Sequence, residues 1–79
     1  MLIIWAVVIR APVEVDVQKL RRLRKSRVLT LQELSDESGV PLNTIWRVES
    51  GYSKGARPST IRKLAEALGV DPTELVKDA

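Results

Sequence analysis

The sequence contains neither cysteine nor histidine among its 79 residues. Without cysteine it has no disulfide framework and no thiolate nucleophile. Without histidine it has no imidazole base and no Cys/His zinc site. We therefore expect no metal, no cofactor and no enzymatic activity. The alternative is an enzyme whose active site is a cluster of carboxylates from Glu33, Asp36 and Glu37. The sequence has no histidine, cysteine or phosphate-binding loop to organise such a site.

Long apolar runs are also scarce. Residues 2–9 form an unbroken apolar run of eight residues, far short of the roughly 20 that a membrane-spanning helix needs. The adjacent charge, Arg10, follows the run, whereas a signal peptide carries its charge before it. We interpret the run as part of the folded protein or as an extension from an alternative start, and we expect a cytoplasmic protein with no membrane partner.

The remaining composition fits one small soluble domain. Hydrophobic residues make up 44% and charged residues 29%, and the net charge of +3 favours polyanionic partners. β-Branched residues dominate the first 17 positions and predict a strand at residues 2–9, followed by a weaker alternating strand signal at Val13, Val15 and Val17. We expect residues 1–15 to be a strand extension and residues 16–79 to be a helical domain. The predicted strand contains Leu2, Ile3, Ile4, Trp5, Ala6, Val7, Val8 and Ile9.

Caps and breakers divide the second part into five short helices. Capping side chains, an N-terminal proline and terminal glycines mark where helices begin and end. The apolar residues between these signals recur at helical spacing, which predicts a core of Leu20, Leu23, Leu34, Ile45, Val48, Ile61, Leu64 and Leu68. The predicted helices run from the Asp16 cap to about Arg27, from the Thr30 cap with Glu33 as its capping box to Gly39, from Pro41 to Gly51, from Pro58 to Gly69, and briefly from Asp71 and Pro72.

The second and third predicted helices are joined by a tight glycine-containing turn at residues 38–41. This is the helix-turn-helix layout, in which the second helix enters the DNA major groove. Residues 29–35 (Leu-Thr-Leu-Gln-Glu-Leu-Ser), Gly39-Val40 and residues 44–51 (Thr-Ile-Trp-Arg-Val-Glu-Ser-Gly) resemble the phage-repressor (Cro-like, XRE-type) helix-turn-helix domain. The resemblance continues through residues 57–59, 64–70 and 72–75 and covers about residues 17–77.

The resemblance implies an all-α, five-helix fold, here with an added N-terminal β-strand. It also implies a sequence-specific regulator of transcription that binds double-stranded DNA, with a repressor favoured. The family reads bases from the start of its third helix, which corresponds here to Leu42, Asn43, Trp46 and Arg47. Arginine suits guanine and asparagine suits adenine, whereas Leu42 and Trp46 could contact thymine methyls, shield the site or contact a protein.

The predicted phosphate contacts surround that helix. The loop that follows the third helix is long, polar and basic, which suits the DNA backbone beside a groove-bound helix. The sequence also departs from the family. Leu31 stands where a phosphate-binding Gln is common, and Val28 where a Gly is common, so we expect the turn at Val28 to be built differently. The candidate phosphate ligands are Thr30, Gln32, Ser50, Tyr52, Ser53, Lys54 and Arg57.

Two further roles follow from the resemblance and from the strand. The family pairs an Arg of its first helix with a Glu near the end of its third, so we expect an ion pair between Arg24 and Glu49. A lone strand at residues 2–9 would leave an unpaired edge. Antiparallel pairing with a second chain would cover that edge and give a homodimer; a hairpin within one chain or docking on another protein are the alternatives.

The functional alternative to a DNA-binding regulator is a protein-interaction module of the same fold, resembling an antitoxin. In that case Leu42 and Trp46 would be apolar anchors for a protein partner. The dependence of DNA affinity on salt distinguishes the two, because phosphate contacts release counterions and a protein interface of apolar anchors does not.

Overall fold

The computed structural model describes residues 13–53 and 55–77; residues 1–12, Lys54 and residues 78–79 lie outside the described residues. The strand predicted at residues 2–9 is therefore not among the described residues. Within them the chain forms helices α1 (Val17–Ser26), α2 (Leu31–Ser38), α3 (Leu42–Glu49) and α4 (Pro58–Leu68), then a 3₁₀ helix (Pro72–Leu75). Strands β1 (Val13–Glu14) and β2 (Gly55–Ala56) form a small antiparallel sheet.

The predicted helix starts follow the capping residues. The Asp16 side chain accepts the Lys19 amide at the start of α1. At the start of α2, Thr30 and Glu33 form both hydrogen bonds of a capping box, as predicted. Helix α3 begins one residue later than predicted, because Pro41 occupies the flanking cap position, whereas Pro58 is in the first turn of α4.

The prediction of a fifth α-helix is wrong. Residues Pro72–Leu75 form one 3₁₀ turn, whose N-terminal cap is Asp71. The following residue, Val76, is extended and bridges Val15. A helix that continued past Leu75 would lose this bridge, so pairing with the N-terminal segment limits the turn to four residues.

The all-α prediction also omitted the sheet. Val13 pairs with Ala56 and Glu14 with Gly55, so part of the predicted loop after α3 is a strand. A Cβ atom built on Gly55 would collide with the Val13 carbonyl group, so the close approach of the two strands requires glycine. The weak strand signal at Val13 was correct, but Val17 already belongs to α1.

The prediction that the turn at Val28 would be built differently is wrong as well. Val28 adopts the left-handed conformation with φ of 54°, where the family places glycine. The Leu29 amide donates to the Arg24 carbonyl at 3.1 Å and the Val28 amide to the Lys25 carbonyl at 2.9 Å, which is a Schellman motif. These hydrogen bonds close α1 in spite of the β-branched side chain.

The core lies where the helices meet. Seven of the eight predicted core residues are buried, and Leu23 packs against them half-buried. Val15, Val40, Ala56 and Leu75 are also buried, so the segment before α1 and the turn before α3 belong to the same core. Among the described residues no helix is both long enough and apolar enough to span a bilayer.

Candidate nucleic-acid interface

Helix α3 has one buried face and one exposed face. Ile45, Val48 and Glu49 are buried. The predicted base contacts are all exposed, Leu42 by 40% and Trp46 by 49%, and they occupy positions i, i+1, i+4 and i+5. Side chains at this spacing share one face of a helix. The structure therefore presents Leu42, Asn43, Trp46 and Arg47 together on the surface.

One flank of this exposed face forms a groove with the start of α2. Its walls come from two turns of α3 and the first turn of α2, and its lining is mostly apolar. We call it the α2–α3 groove; its lining residues are Thr30, Leu31, Gln32, Leu42, Asn43 and Trp46. It brings two predicted phosphate ligands beside three predicted base contacts.

Two of the polar groups in this groove already have partners. The Gln32 amide donates to Asp36 at 3.1 Å, one helical turn away. The Thr30 hydroxyl accepts the Glu33 amide at 3.0 Å, and the Thr30 amide donates to the Glu33 carboxylate at 3.0 Å. The first amides of α2, those of Leu31 and Gln32, are not used by this cap and point toward the helix N-terminus, where anions bind favourably.

The capping box also holds the Glu33 carboxylate at the N-terminal end of α2. The hydrogen bond from the Thr30 amide lowers the pKa of Glu33 below its ordinary value of 4.5, and the Thr30 side chain adds to the effect. These hydrogen bonds favour the ionised form of Glu33, the form that a carboxyl group already adopts at neutral pH. Its negative charge stabilises the helix start but weakens the attraction of that start for a phosphate.

The other flank of α3 forms a more polar groove with β2 and the start of α4. Arg47 and Arg57 both line it, and neither forms an ion pair with an acid among the described residues. Thr44 and Thr60 add hydroxyl groups between them. This groove joins a predicted base contact with a predicted phosphate contact.

The loop between α3 and β2 is held by its own hydrogen bonds. The Ser53 amide donates to the Arg47 carbonyl at 3.0 Å, and its hydroxyl donates to the Gly55 carbonyl at 2.8 Å. The Ser50 hydroxyl donates to the Arg47 carbonyl at 3.3 Å. Ser53 thus orders the loop in the described structure rather than presenting free donors. Tyr52 is 78% exposed and lies beside Trp46, with ring centroids 6.1 Å apart; Lys54 lies outside the described residues.

The predicted pairing of Arg24 with Glu49 is present. The guanidinium donates to both carboxylate oxygens, Nε to Oε2 at 2.7 Å and Nη2 to Oε1 at 3.0 Å. Arg24 Nη1 donates to the Leu29 carbonyl at 2.7 Å. Because the two side chains are only 13% and 7% exposed, the pair fixes α3 against α1 and the turn that follows α1.

Two other positive side chains, Lys19 of α1 and Arg27 at its C-terminal cap, form contacts within the fold. Lys19 Nζ lies 2.8 Å from the Glu74 carboxylate, and Arg27 donates to the Ala67 carbonyl at the end of α4. A cation at the C-terminal carbonyls of a helix opposes their partial negative charge. Lys19 and Arg27, like Arg24, are therefore engaged in contacts within the fold.

Sequence reasoning missed three residues that shape the interface. Leu31 was noted only as an apolar residue where the family commonly has a phosphate-binding Gln, but it lines the α2–α3 groove. Thr60 and Gly55 were assigned only to a helix start and a loop, yet both line the groove beside Arg57. A glycine in this loop is a signal for a close backbone approach, but the residue approached by Gly55, Val13, is distant in sequence. Among the described residues no group of acidic side chains is arranged to hold a metal ion.

Comparison with known proteins places this geometry in a family. A family model described as Helix-turn-helix (HTH_3) matches residues 20–75. The HTH-type transcriptional repressor RghR of Bacillus subtilis (strain 168) is 45% identical over 53 residues, which cover 67% of this chain and 39% of RghR. The chain spans less than half the length of the curated relatives it matches.

Solved structures agree with this assignment. The restriction-modification controller protein C.AhdI of Aeromonas hydrophila matches with a TM-score of 0.68 and 34% identity over 73% of this chain and 86% of its own. A mutant of hydroxyethylphosphonate dioxygenase matches with a TM-score of 0.72 and 32% identity, over 84% of this chain but only 14% of the enzyme. With the capping box, the glycine turn and the Arg24–Glu49 pair in place, the chain belongs to the HTH_3 helix-turn-helix family, as the resemblance to phage-repressor domains predicted.

Proposed function

We propose that this chain binds double-stranded DNA sequence-specifically and represses transcription by occupying an operator. The observation that carries the proposal is the exposed face of α3, whose opposite face is buried. A helix of this kind fits the major groove, which is about 12 Å wide. The name of the relative RghR, a transcriptional repressor, supports the direction of regulation.

The side chains of α3 suggest how bases are read. Arg47 is exposed and without an acidic partner among the described residues, so its guanidinium can donate to guanine O6 and N7. Asn43 is exposed at the start of the helix and can pair with adenine N6 and N7. Each good bidentate contact discriminates against a wrong base by about 1–3 kcal/mol.

Phosphate contacts would lie on both flanks of α3. Arg57 and Tyr52 border the second groove and the loop, where a DNA backbone would pass a groove-bound helix. The amides that open α2, with the Thr30 hydroxyl, can serve the phosphate on the other flank. Gln32, Ser50, Ser53 and Lys54 remain candidates of the same proposal, although the first three donate hydrogen bonds within the described structure.

We further propose a homodimer formed through residues 2–9. The proposal is supported by the sequence, because eight consecutive apolar residues with a strand composition would leave an unpaired edge in a single chain. A dimer would set two α3 helices about 34 Å apart on a palindromic site. The dimer is tested by light scattering on the full chain and on a chain that starts at Val13 and retains β1; loss of the dimer only in the shorter chain supports the strand interface.

The DNA-binding proposal is tested by selecting ligands from a randomised duplex pool at moderate salt. We expect a palindromic sequence to be enriched, and an operator carrying it to lower expression from a reporter promoter. Binding should weaken steeply with salt, because each phosphate contact releases counterions. Bulk binding without an enriched sequence would refute the sequence-specific proposal.

A second candidate function is favoured by the apolar character of α3. Leu42, Trp46 and Tyr52 expose hydrophobic surface on the face where base contacts are expected. An antitoxin-like module would use that surface to bind a protein. A tight protein complex that involves Leu42 and Trp46, together with weak nonspecific DNA binding, would support this function over the first.

A further inference from the structure

We infer that the α2–α3 groove receives the C5-methyl group of a thymine in the major groove of the bound DNA. The inference rests on the proposed function and adds a base preference to it. It assigns the contact with the thymine methyl to Leu42 and Trp46, and Leu31 lines the same groove. The shared position of these three side chains is visible only in the folded chain.

The groove is apolar where base contacts are expected. Leu42 and Trp46 remain 40% and 49% exposed, although both are large hydrophobic side chains. Leu31, half-buried, packs against the core and extends the same surface toward α2. Of the groups on base-pair edges in the major groove, the thymine methyl is the apolar one, so it fits this surface better than the edge of a guanine or cytosine.

The polar side chains of the groove do not compete strongly for the same base. Gln32 donates its amide to Asp36, and Thr30 is held in the capping box with Glu33. Asn43 is the remaining amide in the groove, at the start of α3. Because Asn43 can pair with adenine, a groove that reads an A·T-containing step would use both its polar and its apolar walls.

Charge and size favour DNA over a protein as the occupant. Arg47, on the same exposed face of α3, and Arg57, in the groove on the other flank, make the surface around α3 positive, which complements a phosphate backbone. A stable protein interface buries about 800 Å² on each partner. The three apolar side chains that line this groove expose much less area than that, but the area is enough to cover a methyl group.

The test compares an operator from the selected pool with the same operator in which thymine at one half-site position is replaced by deoxyuridine. Uracil keeps the base pairing and the major-groove acceptor of thymine and lacks only the methyl. Burial of one methyl group gives about a fourfold gain in affinity. We therefore expect about fourfold weaker binding for each thymine that faces the groove, and no change for thymine in the flanking sequence.

Protein variants then connect the methyl to the groove. Leu42→Ala should bind thymine and uracil operators almost equally, because it removes the wall that contacts the methyl. Asn43→Ala is the matched control from the same groove: it should weaken both operators by the same factor and keep the fourfold ratio. Circular dichroism checks that both variants fold, and the uracil comparison on the unmodified protein does not depend on them.

The outcomes separate this inference from the function on which it rests. An enriched operator with a thymine whose methyl matters, and whose effect disappears in Leu42→Ala, supports it. An enriched operator without thymine in its half-sites, or one indifferent to uracil, overturns the inference while sequence-specific binding stands. That result would indicate that the groove binds an apolar side chain of a protein instead of a thymine methyl. No enriched operator at all overturns both proposals.

Discussion

Arg24 and Glu49 lie 25 positions apart in the sequence and form a bidentate ion pair between α1 and α3. The same guanidinium donates to the Leu29 carbonyl, so one side chain connects α3, α1 and the turn between α1 and α2. Arg21 approaches Glu49 at 3.9 Å, but it is 52% exposed. The orientation of the exposed face of α3 thus depends on a contact on its buried side.

Breaking this pair should be costly. Glu49→Ala leaves a mostly buried guanidinium without its carboxylate, and we expect the free energy of unfolding to fall by about 3 kcal/mol. The double variant Arg24→Leu/Glu49→Leu removes both charges and should lose less. Urea denaturation of Arg24→Leu, Glu49→Leu and the double variant measures the loss of unfolding free energy in each. If the double variant lost as much as the two single variants together, the result would contradict a coupled pair.

Val28 offers a stabilising substitution. Its left-handed backbone is unfavourable for a β-branched residue, and its side chain is 86% exposed, so little packing would be lost. We expect Val28→Gly to raise the free energy of unfolding by about 0.5–1 kcal/mol and the melting temperature by a few degrees. Val28→Ala keeps a Cβ atom and should gain less. Equal melting temperatures for all three proteins would show that the turn carries no strain.

Two capping carboxylates predict how stability changes with pH. Hydrogen bonds from Thr30 lower the pKa of Glu33, and hydrogen bonds from Thr73, first from its hydroxyl, lower the pKa of Asp71. The folded state therefore binds these protons less tightly than the unfolded state. Their stabilisation is complete above the ordinary values of 4.5 and 3.8 and is lost as the pH falls through the lower folded-state values.

Thermal melting at several pH values tests this expectation. The melting temperature should fall as the pH decreases from about 5 to about 3. Glu33→Gln keeps an acceptor for the capping box but does not titrate, so its decrease should be smaller. Asp71→Asn provides the same comparison at the 3₁₀ helix. If both variants lose stability as steeply as the original chain, other carboxylates must cause the acid sensitivity.

Arg47 and Arg57 should differ in what they contribute to DNA binding. Arg57→Ala removes a proposed phosphate contact, so affinity should fall for all duplexes and the salt slope should decrease by about 1. Arg47→Ala removes a proposed guanine contact and should instead relax the sequence preference at one position of each half-site, at about 1–3 kcal/mol. Repeating the selection and a salt titration with both variants separates the roles; matching profiles would contradict the assignment.

Local signals predicted most of the helices. Capping residues and terminal glycines act within a few positions, so Asp16, Thr30 and Gly69 marked helix ends correctly without knowledge of the fold. The family pattern likewise located α3 and the Arg24–Glu49 pair. The predictions failed at Pro72–Leu75, where the adjacent Val76 bridges the distant Val15, and at Gly55, which pairs with the distant Glu14.

The candidate interface was predictable residue by residue but not as a surface. Helical periodicity alone brings Leu42, Asn43, Trp46 and Arg47 to one face. It does not by itself show that Gln32 donates to Asp36 or that Ser53 orders its own loop, because the spacing of these local pairs permits the hydrogen bonds without requiring them. It also does not reveal that Leu31 joins Leu42 and Trp46 in one groove.

By itself, the sequence determined the family, the helix-turn-helix and the residues that face outward from α3, because capping, turns and periodicity operate over short distances. Only the tertiary structure decided the small sheet, the left-handed Val28, the single 3₁₀ turn and the two grooves beside α3. The turn at Val28 is closed by hydrogen bonds to Arg24 and Lys25 within the same turn, whereas the sheet, the 3₁₀ turn and the grooves depend on contacts between segments that are separate in the chain. Such contacts can override local preference, because the burial and hydrogen bonds they provide exceed the modest cost of an unfavoured backbone conformation.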